Sequence, residues 1–131
     1  MQTVREEIEL LVTTPNEPGI YGRVLGTLAN AGINLRALCV TSDSGRGFFQ
    51  LITSDPKKAE KSLRTLGYKV KTRRVVAVSV TDRIGVGAEI GHLLGNAVVD
   101  IEYCYGSSSS ESLSLLIFQT NNNRKAIETL K

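Results

Sequence analysis

The chain has 131 residues, of which 41% are hydrophobic and 22% are charged, and its formal net charge at neutral pH is +3. These values are typical of a soluble globular protein, and the sequence shows neither a long apolar run nor a basic-then-apolar leader. We therefore expect a cytoplasmic protein that is not membrane-bound, built as one ordinary domain or as two very small modules that stabilise each other.

The first predicted elements are a strand and a helix separated by a short loop. Apolar residues alternate through residues 7–14, which predicts a strand with at least one buried face. The loop from Pro15 to Gly19 interrupts this pattern. Apolar residues then recur at helical spacing, so we expect a helix from about residue 20 to about residue 31, where Ala31 and Gly32 end it.

Two strands at residues 33–41 and 48–53 follow, and residues 42–47 between them predict a hairpin turn. Both strands carry apolar side chains on both faces. Leu38 and Val40 alternate with Leu35 and Ala37, whereas a sheet with one wet face would alternate more cleanly. We therefore expect the face without helices to be covered, either by the other copy of the repeat described below or by a second chain.

The next predicted elements are a second helix and a fourth strand. Ser54 or Asp55 caps the helix, Pro56 lies in its first turn and Gly67 ends it. Residues 68–73 form a short strand. The order βαββαβ predicts an α+β, ferredoxin-like fold, in which an antiparallel sheet carries both helices on one face.

The second half of the chain repeats the first. Asn16 and Gly19 correspond to Asp82 and Gly85 at one constant offset of 66 residues, which indicates a duplication. The second copy has predicted strands at 75–81, 100–105 and 113–120, and helices at 86–95 and from residue 122. We expect modules at 1–73 and 74–131. The second module has no obvious final strand, so either that strand was lost or a segment of the first copy or of a partner chain replaces it.

The loop between the first strand and the first helix is the strongest candidate site. The free N–H groups of the first helical turn favour a carboxylate, and a glycine lets a ligand approach the backbone. Side-chain oxygens of Asn16 and Asp82 can accept from an ammonium group. An α-amino acid carries both groups, although Asn16 and Asp82 acting only as helix caps is an equally supported interpretation.

The residues quoted above resemble the ACT domain family. The first strand, the loop N-E-P-G-I-Y-G, the helix G-R-V-L-G-T-L-A-N-A-G-I-N and the following strand are similar to that family, and D-R-I-G-V-G-A-E-I-G resembles a second, degenerate copy. The resemblance covers nearly the whole chain. It implies a regulatory module that senses a ligand, in which paired ACT modules join their sheets side by side and bind an amino acid at their interface.

The resemblance also implies a set of ligand-binding residues in each copy. In the first copy they are Asn16, Glu17, Pro18, Gly19, Ile20, Asn34 and Leu35. In the second copy they are Asp82, Ile84, Gly85, Val86, Asp100 and Ile101. The second copy departs from the pattern, since Ile84 stands where the first has Pro18, and Val98 where it has Gly32.

ACT modules are commonly fused to the protein they control, and the chain shows no such domain. The resemblance therefore implies a free amino acid as ligand, a homodimer, and a regulated enzyme or transcription factor on another polypeptide. We expect no catalytic residue, no metal and no cofactor. One alternative is a stand-alone protein–protein interaction module with degenerate ligand loops, and another is a small phosphatase that holds phosphate with Arg23 or Arg83.

Basic residues are concentrated in the middle of the chain. They fall into two groups, one comprising Lys57, Lys58, Lys61 and Arg64 and the other Lys69, Lys71, Arg73 and Arg74. Such groups attract nucleic acid or acidic partners. No aromatic residues are interleaved with them for base stacking, so a solvated helix face and a charged edge strand are the favoured interpretation. We do not expect a nucleic-acid partner from the sequence.

Overall fold

The computed structural model describes residues 2–108 and 112–131, which form an α+β fold of six antiparallel strands and four helices and confirm the predicted fold class. In that part of the chain, no helix is long and apolar enough to cross a membrane. The elements in chain order are β1 (Gln2–Pro15), α1 (Ile20–Asn30), β2 (Leu35–Asp43), β3 (Arg46–Thr53), α2 (Pro56–Thr65), β4 (Lys69–Thr81), α3 (Val86–Asn96), β5 (Ile101–Ser108), β6 (Leu113–Thr120) and α4 (Asn123–Leu130).

The four helices begin in two different ways. α2 and α4 have side-chain caps, because Asp55 and Asn122 each accept a hydrogen bond from the N–H three residues later, at 3.2 Å and 3.1 Å. α1 and α3 instead begin after Gly19 and Gly85, both with φ of 88°, and neither has a side-chain cap. A positive φ favours glycine, so the same turn is kept in both copies.

The chain divides into two compact units, of which the first comprises Ile8–Arg73. Its strand order is β2-β3-β1-β4. β3 pairs antiparallel with both β1 and β2, which places Phe49 opposite Val12 on one side and opposite Val40 on the other. The core of this unit brings Leu10 of β1 together with Leu28 of α1 and Leu63 of α2, so the two helices cover one face of the sheet.

The second unit comprises residues 2–7 and the described residues from 74 onward. Its strand order is β1-β4-β6-β5, and β4 pairs antiparallel with β6 so that Val78 lies opposite Leu116. The core of this unit contains Ile90 of α3 and Leu130 of α4, which shows that these helices also share one face of the sheet. Val4 of β1 packs against the same core.

Residues 2–7 of β1 supply the strand that the second copy lacks. Within the second unit, the Arg5 guanidinium donates to Ser79 Oγ at 3.5 Å, and the guanidinium of Arg74 lies 3.6 Å from the carboxylate of Glu6. Residues 2–7 therefore complete the second sheet. This matches the alternative in which a segment from the first half of the chain replaces the missing strand. β1 spans Gln2–Pro15 and is therefore longer than the strand predicted at 7–14. The charged residues Arg5 and Glu6 interrupt the apolar alternation, so the sequence did not indicate that Val4 belongs to the strand.

β4 is one continuous strand where the sequence predicted two. The predicted strands at 68–73 and 75–81 join without a turn, and β4 runs through Arg73 and Arg74 as a single element of 13 residues. The junction contains no glycine or proline to break it, so the extended backbone continues. The two halves of this strand belong to different units.

The hairpin between β2 and β3 is tighter than predicted. The sequence favoured a turn through residues 42–47, but the strands extend to Asp43 and resume at Arg46. Only Ser44 and Gly45 remain in the turn, with φ of 53° and 76°. Two consecutive positive φ values match the type I′ turn, whose twist suits an antiparallel pair.

A β-bulge in β2 changes the predicted faces of that strand. The register shifts between Leu35 and Ala37, so Leu35 packs with Leu38 against the core on the helix side, and the prediction that Leu35 shares a face with Ala37 is wrong. Ala37 lies opposite Ile52 on the helix-free face. That another copy or chain covers this face stays a prediction.

Candidate functional site

The loop between β1 and α1 is fixed by backbone hydrogen bonds. The Asn16 N–H donates to the Gly45 carbonyl at 3.0 Å, which ties the loop to the β2–β3 hairpin. The Ile20 N–H donates to the Glu17 carbonyl at 3.2 Å, and the first helical bond runs to the Gly19 carbonyl at 3.0 Å. The Ile20 N–H, one of the donors of the first helical turn, is therefore already hydrogen-bonded within the loop.

The next two N–H groups of α1, on Tyr21 and Gly22, have no side-chain acceptor, because α1 has no side-chain cap. The same holds for α3. The interpretation that Asn16 and Asp82 serve only as helix caps is therefore wrong, since neither side chain caps the helix that follows it. The positive end of the α1 dipole is left open toward the loop.

A cavity of about 310 Å³ opens at this end of α1. Four of the predicted residues line it, namely Asn16, Glu17, Gly19 and Ile20. Six further residues line it that the sequence did not suggest, and these are Tyr21, Val40, Thr41, Ser42, Gly47 and Phe49. Most of the missed residues lie on β2 and β3, which the sheet register brings beside the loop.

The walls of the cavity are largely apolar. Tyr21 is 52% exposed, and its ring centroid lies 6.4 Å from that of the buried Phe49 at an interplanar angle of 35°. Val40 is also partly exposed beside them. Gly47 allows the backbone of β3 to approach Thr14 closely at the rim of the cavity, because a Cβ atom there would lie 2.7 Å from Thr14 Oγ1. The cavity therefore offers an apolar surface next to backbone N–H donors.

An ion pair borders the cavity. The Arg23 guanidinium lies 3.6 Å from the Glu17 carboxylate, and both side chains are about half exposed. A side-chain hydrogen bond to Tyr68, and less strongly the charge of Glu17, raise the pKa of Arg23 from its ordinary value. This guanidinium is therefore cationic, and Glu17 and Tyr68 hold it at the border of the cavity.

The loop of the second unit repeats the backbone of the first. The Asp82 N–H donates to the Ser112 carbonyl at 2.6 Å, and the Val86 N–H donates to the Arg83 carbonyl at 3.2 Å. Gly85 has the same φ as its counterpart. Ile84, in the place of Pro18, is fully exposed.

The two loops carry the same ion pair with opposite polarity. In the first, the acid is Glu17 in the loop and the base is Arg23 on the helix. At the equivalent positions of the second, the base is Arg83 in the loop and the acid is Glu89 on α3. Glu89 lies in the first turn of α3, where its negative charge opposes a bound carboxylate.

The remaining predicted residues do not join the cavity. Asn34 immediately precedes β2, beyond the far end of α1, and its backbone N–H and carbonyl form two hydrogen bonds of 2.9 Å with Ser54, which precedes the cap of α2. Asp100 makes the equivalent pair with Asn121, at 3.0 Å each. In each unit, these hydrogen bonds connect the residue before a strand to the residue before a helix cap. Pro18 and Leu35 also do not line the cavity, and Ile101 is partly exposed on β5.

No group of His, Cys, Asp and Glu side chains in residues 2–108 and 112–131 is arranged to hold a metal ion. The α1 cavity offers backbone donors, an amide, an ion pair at its border and apolar walls.

Comparison with known proteins agrees with this fold. The family described as ACT domain pair matches residues 6–131. No curated protein sequence matches the chain. The crystal structure of protein BT0572 from Bacteroides thetaiotaomicron is 30% identical, with a TM-score of 0.89 over 97% of this chain and 88% of that chain.

Two structures of lower identity share the fold. The ligand-free regulatory subunit of aspartate kinase from Thermus thermophilus is 17% identical, with a TM-score of 0.72 over 98% of this chain and 93% of that one. The corresponding regulatory subunit from Thermus flavus is also 17% identical, with a TM-score of 0.65 over 98% and 94%. The family match spans nearly the whole sequence, so this chain belongs to the ACT domain pair family.

Proposed function

We propose that this protein is a small-molecule-sensing regulatory protein that binds a free amino acid at the loop between β1 and α1. The observation that carries the proposal is the contrast between the helix starts. Asp55 and Asn122 cap α2 and α4, whereas α1 has no side-chain cap and begins at a cavity of about 310 Å³. Uncapped N–H groups at a helix start favour a carboxylate.

The cavity matches the three parts of an amino acid. The carboxylate accepts from the N–H groups of Tyr21 and Gly22, and the nearby cation of Arg23 adds attraction. The ammonium group donates to the side-chain oxygen of Asn16. The ligand side chain then rests on Val40 and Phe49, which favours amino acids with apolar side chains.

Charge favours the first loop over the second. Arg23 on α1 attracts a carboxylate, whereas Glu89 at the equivalent position of α3 repels it. We therefore place the ligand at Asn16, Glu17, Gly19 and Ile20 and give the second loop a weaker role. The involvement of Pro18, Asn34 and Leu35, and of the second-loop residues Asp82, Ile84, Gly85, Val86, Asp100 and Ile101, stays a prediction, as does a site at an interface between two modules.

The proposed regulated target is another polypeptide, an enzyme or a transcription factor. The Thermus aspartate kinase proteins that share this fold are described as regulatory subunits, and this chain covers 93% of one of them. We propose no catalytic role for the chain itself. A homodimer and a cytoplasmic location belong to the same proposal, and the free thiols of Cys39 and Cys104 suit a reducing compartment.

A thermal-shift screen of the twenty amino acids tests the proposal. A ligand present at a hundredfold excess over its Kd adds about 2.7 kcal/mol to the free energy of unfolding. For a chain of this size, that gain raises Tm by roughly 5–15 °C. We expect such a rise with at least one apolar amino acid and none with the matching amine that lacks the carboxylate. If no amino acid raises Tm, the proposal is wrong.

Three matched glycine variants localise the response. Gly19, Gly67 and Gly85 all have φ near 90°, and asparagine tolerates this backbone better than most residues. Gly19→Asn puts a side chain into the cavity and should abolish the ligand-induced shift. Gly67→Asn, at the end of α2, carries the same backbone cost and should preserve the shift, and Gly85→Asn should also preserve most of it.

A stand-alone interaction module is the second candidate. Ile84 and Val98 are strongly exposed on the second unit, at 102% and 79%, and exposed apolar side chains are typical of protein contacts. In that case Gly19→Asn leaves association with a partner unchanged, and Ile84→Asp weakens it. An amino-acid response that Gly19→Asn removes argues for the sensor instead.

A further inference from the structure

The first unit has a second cavity, of about 290 Å³, on the helix-free face of its sheet. We call it the basic groove, and its lining includes Thr13, Phe48, Gln50, Lys69, Lys71 and Arg73. It shares no charged residue with the amino-acid cavity. The inference below therefore does not rest on the proposed function.

Strand register explains why these residues share a face. Phe48 lies opposite Thr13 across the β1–β3 pair, and Phe49, the next residue, points to the helix-side core. On β4, Val70 packs into that same core, so Lys69 and Lys71 on either side of it point the other way. An aromatic ring from one strand thus meets a row of cations from another.

Three exposed cations line one side of the groove, and two of them, Lys69 and Lys71, are available to an anionic partner. Lys69, Lys71 and Arg73 are exposed and alternate along one strand, so their side chains stand about 6.7 Å apart. Neither Lys69 nor Lys71 forms an ion pair with any residue in the described part of the chain. Arg46 adds a fourth positive charge, and its guanidinium lies over the Phe48 ring, with the guanidinium carbon 5.5 Å from the ring centroid.

The start of β3 resembles part of a known RNA-binding pattern. Arg46-Gly47-Phe48 matches the start of the RNP1 pattern, which lies on the third strand of an RNA-recognition sheet and stacks bases on its aromatic side chains. The pattern has Gly or Ala at its fourth position and aromatic residues at its fifth and eighth, whereas this strand has Phe49, Gln50 and Thr53 there. The groove therefore provides one stacking platform and one amide, where a full RNP1 strand provides two aromatic platforms.

We propose that the basic groove binds single-stranded nucleic acid. One base stacks on Phe48 in place of the Arg46 guanidinium that lies over the ring, Gln50 hydrogen-bonds to an exposed base edge, and the phosphates follow Lys69, Lys71 and Arg73. The basic segment of the sequence lacks interleaved aromatic residues, but the fold supplies one from a neighbouring strand. A duplex is a poorer match, because its bases stack on each other.

A second copy of the chain is a poorer occupant of this groove. In a two-fold symmetric dimer whose axis passes through the groove, the groove faces its own copy across the interface. The row of Lys69, Lys71 and Arg73 would then approach a second row of like charge, which opposes association. A polyanion that carries stackable rings satisfies both the charge and the aromatic side chain.

The test is fluorescence anisotropy of labelled eight-nucleotide oligo-U and oligo-dT with the full chain, over a range of salt concentrations. We expect binding whose logarithm falls against the logarithm of salt concentration with a slope of about −2, as three phosphate contacts on a single strand require. A duplex of the same length should bind more weakly. Uridine monophosphate should compete only at a large excess.

Variants separate the stacking contribution from the charge contribution. Phe48→Leu keeps an apolar side chain but removes the aromatic ring, and should weaken binding by about 5- to 150-fold. The double variant Lys69→Gln with Lys71→Gln should reduce the slope to about −0.7. Lys57→Gln with Lys61→Gln makes the same charge change on α2 and should leave affinity and slope unchanged. Thermal melting of each variant confirms that it is folded.

Several results would overturn the proposal. These are an absence of binding, an equal loss in the Lys57 and Lys61 control, or a folded Phe48→Leu variant that binds as tightly as the parent chain. Equal competition by polyglutamate would show that charge alone is sufficient. A dimer that Phe48→Leu dissociates, in a chain that binds no oligonucleotide, would assign this face to self-association.

Discussion

Thr53 and Thr120 occupy equivalent positions at the ends of β3 and β6, and both are buried. Thr120 Oγ1 donates to Asn123 Oδ1 at 2.8 Å and accepts from the Asn122 N–H at 3.1 Å. Thr53 Oγ1 has no hydrogen-bond partner among the described residues. The residue equivalent to Asn123 is Pro56, which offers no side-chain oxygen, so the duplication has left one hydroxyl unsatisfied.

Replacing these two threonines should have opposite effects on stability. Thr53→Val removes an unsatisfied hydroxyl without changing the side-chain shape, and should raise the free energy of unfolding by about 1 kcal/mol. Thr120→Val removes two hydrogen bonds and should lower it by roughly 1–3 kcal/mol. Urea denaturation of both variants measures the difference. Destabilisation by Thr53→Val comparable to that of Thr120→Val would show that its hydroxyl is satisfied in solution.

At the scale of elements, local signals predicted the helices well and the strands less completely. Helix α1 was predicted at 20–31 and spans Ile20–Asn30, because its apolar stripe and its bounding glycines are close in sequence. The start of β1 and the continuity of β4 were missed. Both depend on pairing between distant segments, and the charged Arg73 and Arg74 gave no local sign that the strand continues.

Because β1 contributes a strand to both units, removing its first residues should affect the two units differently. Deleting residues 2–7 removes Val4 from the second core and exposes an edge of β4. We expect the second unit to lose protection first, because its sheet becomes incomplete while the first retains its four strands. Hydrogen exchange should therefore quicken in α3 and α4 and stay unchanged in α1 and α2. Uniform acceleration in all four helices would contradict this.

At the scale of the whole molecule, the duplication was visible in sequence, and so was part of the candidate site. Asn16 and Gly19 were found because their loop is local and repeated. Val40 and Phe49 were not, because they reach the cavity only through the register of β2 and β3, and a β-bulge alters that register. Single-sequence patterns identify faces and turns, whereas cavity walls depend on long-range pairing.

The inverted ion pair predicts how many ligands one chain binds. We expect calorimetry to give a stoichiometry near one, with the ligand at the first loop, since Glu89 opposes a carboxylate at the second. Reversing the first pair, by Glu17→Arg with Arg23→Glu, should weaken binding by about 5- to 30-fold, given about 1–2 kcal/mol for a charge at a helix terminus. Reversing the second pair, by Arg83→Glu with Glu89→Arg, should leave that affinity unchanged and raise the stoichiometry. Equal loss from both reversals would show that charge polarity does not select the loop.

The placement of residues 2–7 also affects biosynthesis. During translation this segment leaves the ribosome before residue 74 and everything that follows, yet its pairing partners lie in the later part of the chain. The nascent polypeptide therefore carries an unpaired strand until its second repeat emerges. Dividing the chain after residue 73 would leave residues 2–7 unpaired on the first fragment and an open sheet edge on the second, so the second repeat depends on the first to complete its sheet.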